Sequence, residues 1–214
     1  MSDGEVDGAA GSDGVVLSVD LYTEERVLAA PGSRLVRQAG VRFGRPMIYP
    51  VRADELTGLN ERRADLHERQ FLLVQFPYEL EALPSNRRYE SLTVQIDFGD
   101  DSVLALDVMP PTYDGPDYPD LDRVELDVRG IGRHSVSWDL RCSAPDVGLR
   151  PRSRIMQVIL DAPTSVQAVS AIITAEAVVV RRVMGLETRS TATTPNGSRI
   201  TLSLDGRVVV GPAD

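Results

Sequence analysis

Lysine is missing from this chain: all 23 basic residues are arginine. That excludes Schiff-base chemistry through a lysine amine. It also makes every side-chain cation a planar fork able to grip carboxylates bidentately. A GC-rich bacterial genome accounts for the bias, because arginine codons are GC-rich and lysine codons are not. Cysteine is nearly missing too, and with Cys142 alone no intrachain disulfide can form. Aromatic residues make up only 5%, so a core must be built from Val, Leu, Ile and Ala. The single tryptophan, Trp138, gives no platform of the kind carbohydrate-binding modules present. Long apolar runs are absent as well. The longest uncharged stretch of the C-terminal part, residues 162–175, is too short to span a bilayer. Met1-Ser2-Asp3-Gly4-Glu5 is acidic and carries no apolar stretch, unlike a signal or transit peptide. The expected location is the cytoplasm.

What is present is acidic and strand-like. The 214 residues carry a formal net charge of −9, from 32 acidic and 23 basic side chains. That balance opposes neutralisation of nucleic-acid phosphates and attraction to anionic lipid. Residues 1–14 are mostly Gly, Asp, Ala and Ser, and read as a disordered acidic tail. Residues 15–214 are long enough for one antiparallel β domain.

Period-two alternation marks half-buried strands. Val15, Leu17, Val19 and Leu21 begin it, with Ser18 and Asp20 opposed. Met47-Ile48-Tyr49, between Pro46 and Pro50, fits an edge strand. Residues 71–76 form an apolar run broken only by Gln75. Leu92, Val94, Ile96 and Phe98 alternate with polar neighbours; Gly99-Asp100-Asp101 reads as a turn, with residues 103–109 as the returning strand. Val124, Leu126 and Val128, then Val136, Trp138 and Leu140, repeat the pattern, and residues 155–160 add a strand ended by Pro163. One wet and one dry face per strand is the signature of antiparallel sheet. Residues 166–183 fit a helix face through Val166, Val169 and Ile173, yet Val178-Val179-Val180 favours strand, which is the reading adopted. Asn196-Gly197 and Asp205-Gly206 predict hairpins joining residues 187–194, 199–204 and 207–211 into a meander. Residues 54–69 are the one helix candidate, capped by Asp54 and carrying Leu56, Leu59 and Leu66 near one face. The fold class is therefore all-β, with possible short helix at 54–69, arranged as a two-sheet sandwich or jelly-roll-like barrel.

Candidate sites are few. Asp114, Asp117, Asp120 and Asp122 place four hard oxygen donors in one proline-stiffened loop, 110–122, to which Asp100 and Asp101 are close enough in sequence to be added. Calcium needs six to eight such oxygens, and the spacing fits no EF-hand; a solvated loop explains the same residues. His134, Asp139 and Cys142 suggest a thiol nucleophile, but strand parity turns Asp139 away, and eight residues separate His134 from Cys142. His67-Glu68 lacks the second histidine of a zinc helix, because position 71 is Phe71. Arg34, Arg37, Arg42 and Arg45 surround Phe43; pairing with internal carboxylates is preferred over phosphate binding. No nucleotide loop or nucleophile elbow occurs.

With no catalytic residue or cofactor site singled out, the expected function is a non-catalytic protein-interaction or structural module of an intracellular bacterial assembly. It would bind another protein or itself, and neither nucleic acid nor membrane. The alternatives are a carboxylate-dependent hydrolase on a β-sandwich and a calcium- or small-ligand-binding module using the loop 110–122.

Overall fold

The computed structural model describes residues 15–26, 33–56, 66–113, 124–143, 147–151 and 153–204. They form twelve strands: β1 (Val15–Arg26), β2 (Ser33–Gly44), β3 (Met47–Val51), β4 (Arg69–Leu80), β5 (Arg87–Asp97), β6 (Leu104–Tyr113), β7 (Val124–Arg129), β8 (Ser135–Cys142), β9 (Ser153–Pro163), β10 (Ala168–Val183), β11 (Leu186–Thr193) and β12 (Ser198–Ser203). Every ladder is antiparallel, and the strand order is β6-β9-β4-β2-β1-β11-β10-β5-β8-β7, with β3 on β4 and β12 on β10.

The sheet curls until its ends nearly meet. The Ala105 amide donates to the Arg133 carbonyl (2.8 Å), and the Gly132 amide donates to the Ala105 carbonyl (2.7 Å). Trp138 Nε1–H, on β8, donates to the Met109 carbonyl on β6 (3.0 Å). The inward residues fill the near-barrel: Leu92, Val94 and Ile96 from β5, Leu72, Val74 and Phe76 from β4, and Val136, Trp138 and Leu140 from β8. These are the alternating positions the period-two pattern assigns to a dry face. The all-β antiparallel class, and the strand reading of 166–183, are as the sequence indicates.

Three connections differ from expectation. Residues 54–69 hold no α-helix among the described residues; short 3-10 turns stand at Ala53–Glu55 and Leu66–Glu68. The turn after β5 does not return β6 alongside it, since β6 pairs with β9. Gly99, at φ 63°, and an Asp100 carboxylate that accepts from the Ser102 amide bend the chain across to the other layer. Alternation tells which face is dry but not which strand is the neighbour.

Asn196-Gly197 is the third. β11 and β12 do not form a hairpin; both run antiparallel to β10, end to end. Between Glu176↔Thr193 and Ile173↔Ser198, three steps on β10 face five on the opposing chain, which is a bulge rather than a reversal. Gly197 is there for space: a Cβ would lie 2.3 Å from Ile172 Cγ2. Gly197→Ala is therefore expected to cost about 1–3 kcal/mol by overpacking, read as a lowered midpoint in thermal unfolding. The expected strand at 207–211 lies outside the described residues.

Candidate functional site

On the β5 side the β10–β11 hairpin runs beyond its neighbour. On one flank β5 begins at Arg87, opposite Arg181, and the last backbone contact is the Arg182 amide to the Asn86 carbonyl (2.8 Å). On the other flank β1 pairs with β11 at Tyr22↔Thr193, and Thr23 Oγ1 donates to the Thr191 carbonyl. Residues 181–189 are all exposed. At the tip the exposed side chains are aliphatic: Val183 is 44%, Met184 99% and Leu186 74% solvent-accessible.

The turn itself makes this composition unusual. Met184 sits at φ 50° and Gly185 at φ 82°. A two-residue hairpin with both φ positive belongs to Asn, Asp and Gly. A long aliphatic in the left-handed region costs about 1 kcal/mol, and burial here returns nothing because Met184 is bare.

Behind the tip lies a collar of charge. Arg88 forks onto Glu187 with two bonds of 3.0 Å, and Arg189 Nε donates to Glu90 (2.7 Å). The Arg88 hydrogen bonds hold the Glu187 carboxyl below the usual carboxylate range, with Arg182 and Arg189 adding to the effect. Arg181 and Arg182 make no ion pair among the described residues. Four arginines thus face two glutamates around this hairpin. An aliphatic tip above unspent guanidinium groups suits a surface with an apolar interior and anionic groups at its rim.

Among the described residues, those nominated from the sequence do not assemble into a second site. Asp114, Asp117, Asp120 and Asp122 lie outside the described residues. Asp100 and Asp101 precede β6, whereas Tyr113, the last described residue before that loop, stands at the far end of that ten-residue strand. Asp100 caps Ser102, and Asp101 meets His134 Nδ1 at 3.2 Å. His134 and Cys142 stand at opposite ends of β8, and Asp139 accepts from Thr93 Oγ1 instead. His67 is exposed beside Glu68. Arg34 pairs with Glu25 (3.6 Å), and Arg37 with Asp20 (2.8 Å) and Glu81. Among the described residues no group of three or more His, Cys, Asp or Glu could hold a metal ion. The hairpin was missed because its strand pattern reads as ordinary; the signal was Val183-Met184-Gly185-Leu186, a turn without Asn or Asp.

No protein-family model matches the chain, and no curated protein matches it by sequence. Solved structures do resemble it. The chain is similar to Clostridium perfringens delta-toxin (TM-score 0.45, 9% identity, covering 88% of this chain and 90% of that one). It is similar to a structure titled pore forming protein (0.43, 8%, 91% and 95%). It is also similar to the Clostridium perfringens NetB toxin in the membrane inserted form (0.40, 6%, 91% and 100%). Against these neighbours the expected cytoplasmic interaction or structural module, self-associating or bound to another protein without membrane contact, is corrected and set aside. A net charge of −9 averages over the whole chain, while the β10–β11 hairpin carries an arginine excess and exposed aliphatics in one place.

Proposed function

We propose that this protein acts at a lipid membrane, meeting the bilayer interface with the β10–β11 hairpin. The carrying observation is the tip itself: three exposed aliphatic side chains, one held at a positive φ, on the part of the hairpin that runs beyond β5. Insertion would bury Val183, Met184 and Leu186 among acyl chains and bring Arg181 and Arg182 to headgroup phosphates. Apolar burial supplies the affinity, and the arginines bias it toward anionic lipid.

Sedimentation with vesicles tests this. The protein is expected to pellet with vesicles containing phosphatidylglycerol more than with phosphatidylcholine alone, and less as salt rises. Arg181→Gln with Arg182→Gln is expected to weaken binding to the anionic vesicles by about 2 kcal/mol, at about 1 kcal/mol per arginine. Equal pelleting of the variant and the parent on anionic vesicles would remove the collar from the account.

A further inference from the structure

At the pole opposite the hairpin, a cleft of about 340 Å³ opens beside the first turn of β4. Its walls are apolar: Ile48, Val51, Leu66, Phe71, Leu72 and Leu204. Volume and lining are those of small-molecule sites, which add a few placed polar groups to a mainly apolar wall. Here those groups are Arg69 and Gln70.

Both are held by hydrogen bonds to neighbouring strands and turns. Arg69 Nε donates to Asp161 Oδ1 (2.6 Å), and its Nη2 donates to the carbonyls of Ser102 and Asp161 (3.1 Å each). The Asp161 side chain is only 2% exposed and that of Arg69 15%. Gln70 Nε2 donates to the carbonyls of Pro163 (3.0 Å) and Val166 (2.8 Å). Nη1 of Arg69 is left, with two N–H groups and no hydrogen bond among the described residues. A guanidinium held rigid by its other nitrogens, at the edge of an apolar cleft, loses little entropy on binding an anion.

We infer that this cleft binds a small amphiphile with an anionic carboxylate head and an unbranched apolar tail. The carboxylate accepts from Arg69 Nη1–H, and the tail lies along Phe71, Val51 and Leu204. A head without a hydrogen-bond acceptor, such as a quaternary ammonium, gains no such bond, and a neutral hydroxyl gains only one that is not charge-assisted. This site is separate from the hairpin, so failure of membrane contact leaves it standing.

The test is calorimetric titration of the full-length protein with decanoate, decanol and decyltrimethylammonium, each below its micellar concentration. Decanoate is expected to bind at least about tenfold more tightly than either. Arg69→Met removes the anion preference, but it also takes a buried ion pair away from Asp161 and risks the fold. Ala53→Trp serves as the second variant: Ala53 lines the cleft on a surface turn, and the indole is expected to weaken decanoate binding at least about tenfold with unfolding unchanged. No decanoate binding, equal binding of all three amphiphiles, or full affinity in Ala53→Trp would each overturn the inference.

Discussion

A chain carrying Met184→Glu and Leu186→Glu is expected to lose vesicle binding by about ten- to a hundredfold while unfolding at the parent's midpoint. Fully burying one aliphatic side chain is worth about 1.5–3 kcal/mol. Interfacial burial realises about half of that per side chain. Two side chains then give about 1.5–3 kcal/mol, and each 1.4 kcal/mol is about tenfold in affinity. The fold is indifferent because Met184 is 99% and Leu186 74% exposed. Met184→Asn sharpens the point. Asparagine tolerates the positive φ that methionine does not, so stability is expected to rise by a few tenths to about 1 kcal/mol, while vesicle binding falls. Opposite signs for stability and binding at one position mark strain retained for function. Ile131→Glu is the control. Ile131 is 62% exposed on the β7–β8 turn, at the other pole. Its vesicle binding is expected to equal the parent's.

Trp138→Ala is expected to destabilise the protein by about 3–5 kcal/mol. The side chain is fully buried, between Val94 on β5 and Val128 on β7. Its Nε1–H also reaches the Met109 carbonyl, so it ties β8 to β6 where the sheet nearly closes. Two losses add: the cavity left in the packed interior, and the carbonyl left without its donor. Trp138→Phe separates them, since it keeps most of the ring and removes only the donor, at about 1–3 kcal/mol. Urea unfolding followed by far-ultraviolet circular dichroism measures both, the fluorescence probe being lost with the residue. A cost below about 1 kcal/mol for Trp138→Ala would mean that the β6–β8 junction contributes little.

The strands were legible because a period of two is imposed by geometry: Leu92, Val94 and Ile96 have to face one way for any sheet to form. Neighbours were not, because alternation is identical whichever strand lies alongside. Residues 103–109 therefore read as the partner of β5, although β6 pairs β9 across the near-barrel. Asn196-Gly197 misled for a related reason. Its chemistry permits a reversal, but here glycine supplies room against Ile172 in a bulge. Arg69 and Asp161 lie 92 positions apart in the chain, so no local pattern announces their pairing. The hairpin tip was visible in principle. Its information lies in what the turn avoids, and only exposure shows that Met184 covers nothing.

Membrane contact through the β10–β11 tip is tested most directly by an environment-sensitive fluorophore at position 184. The protein would carry Met184→Cys in a Cys142→Ser background, labelled with a nitrobenzoxadiazole group and mixed with vesicles containing phosphatidylglycerol. The account predicts a blue-shifted, brighter emission from position 184, and no change from the same label on Ile131→Cys. An unchanged spectrum at 184 under conditions where the protein pellets with vesicles, or a shift at 131 alone, would contradict it.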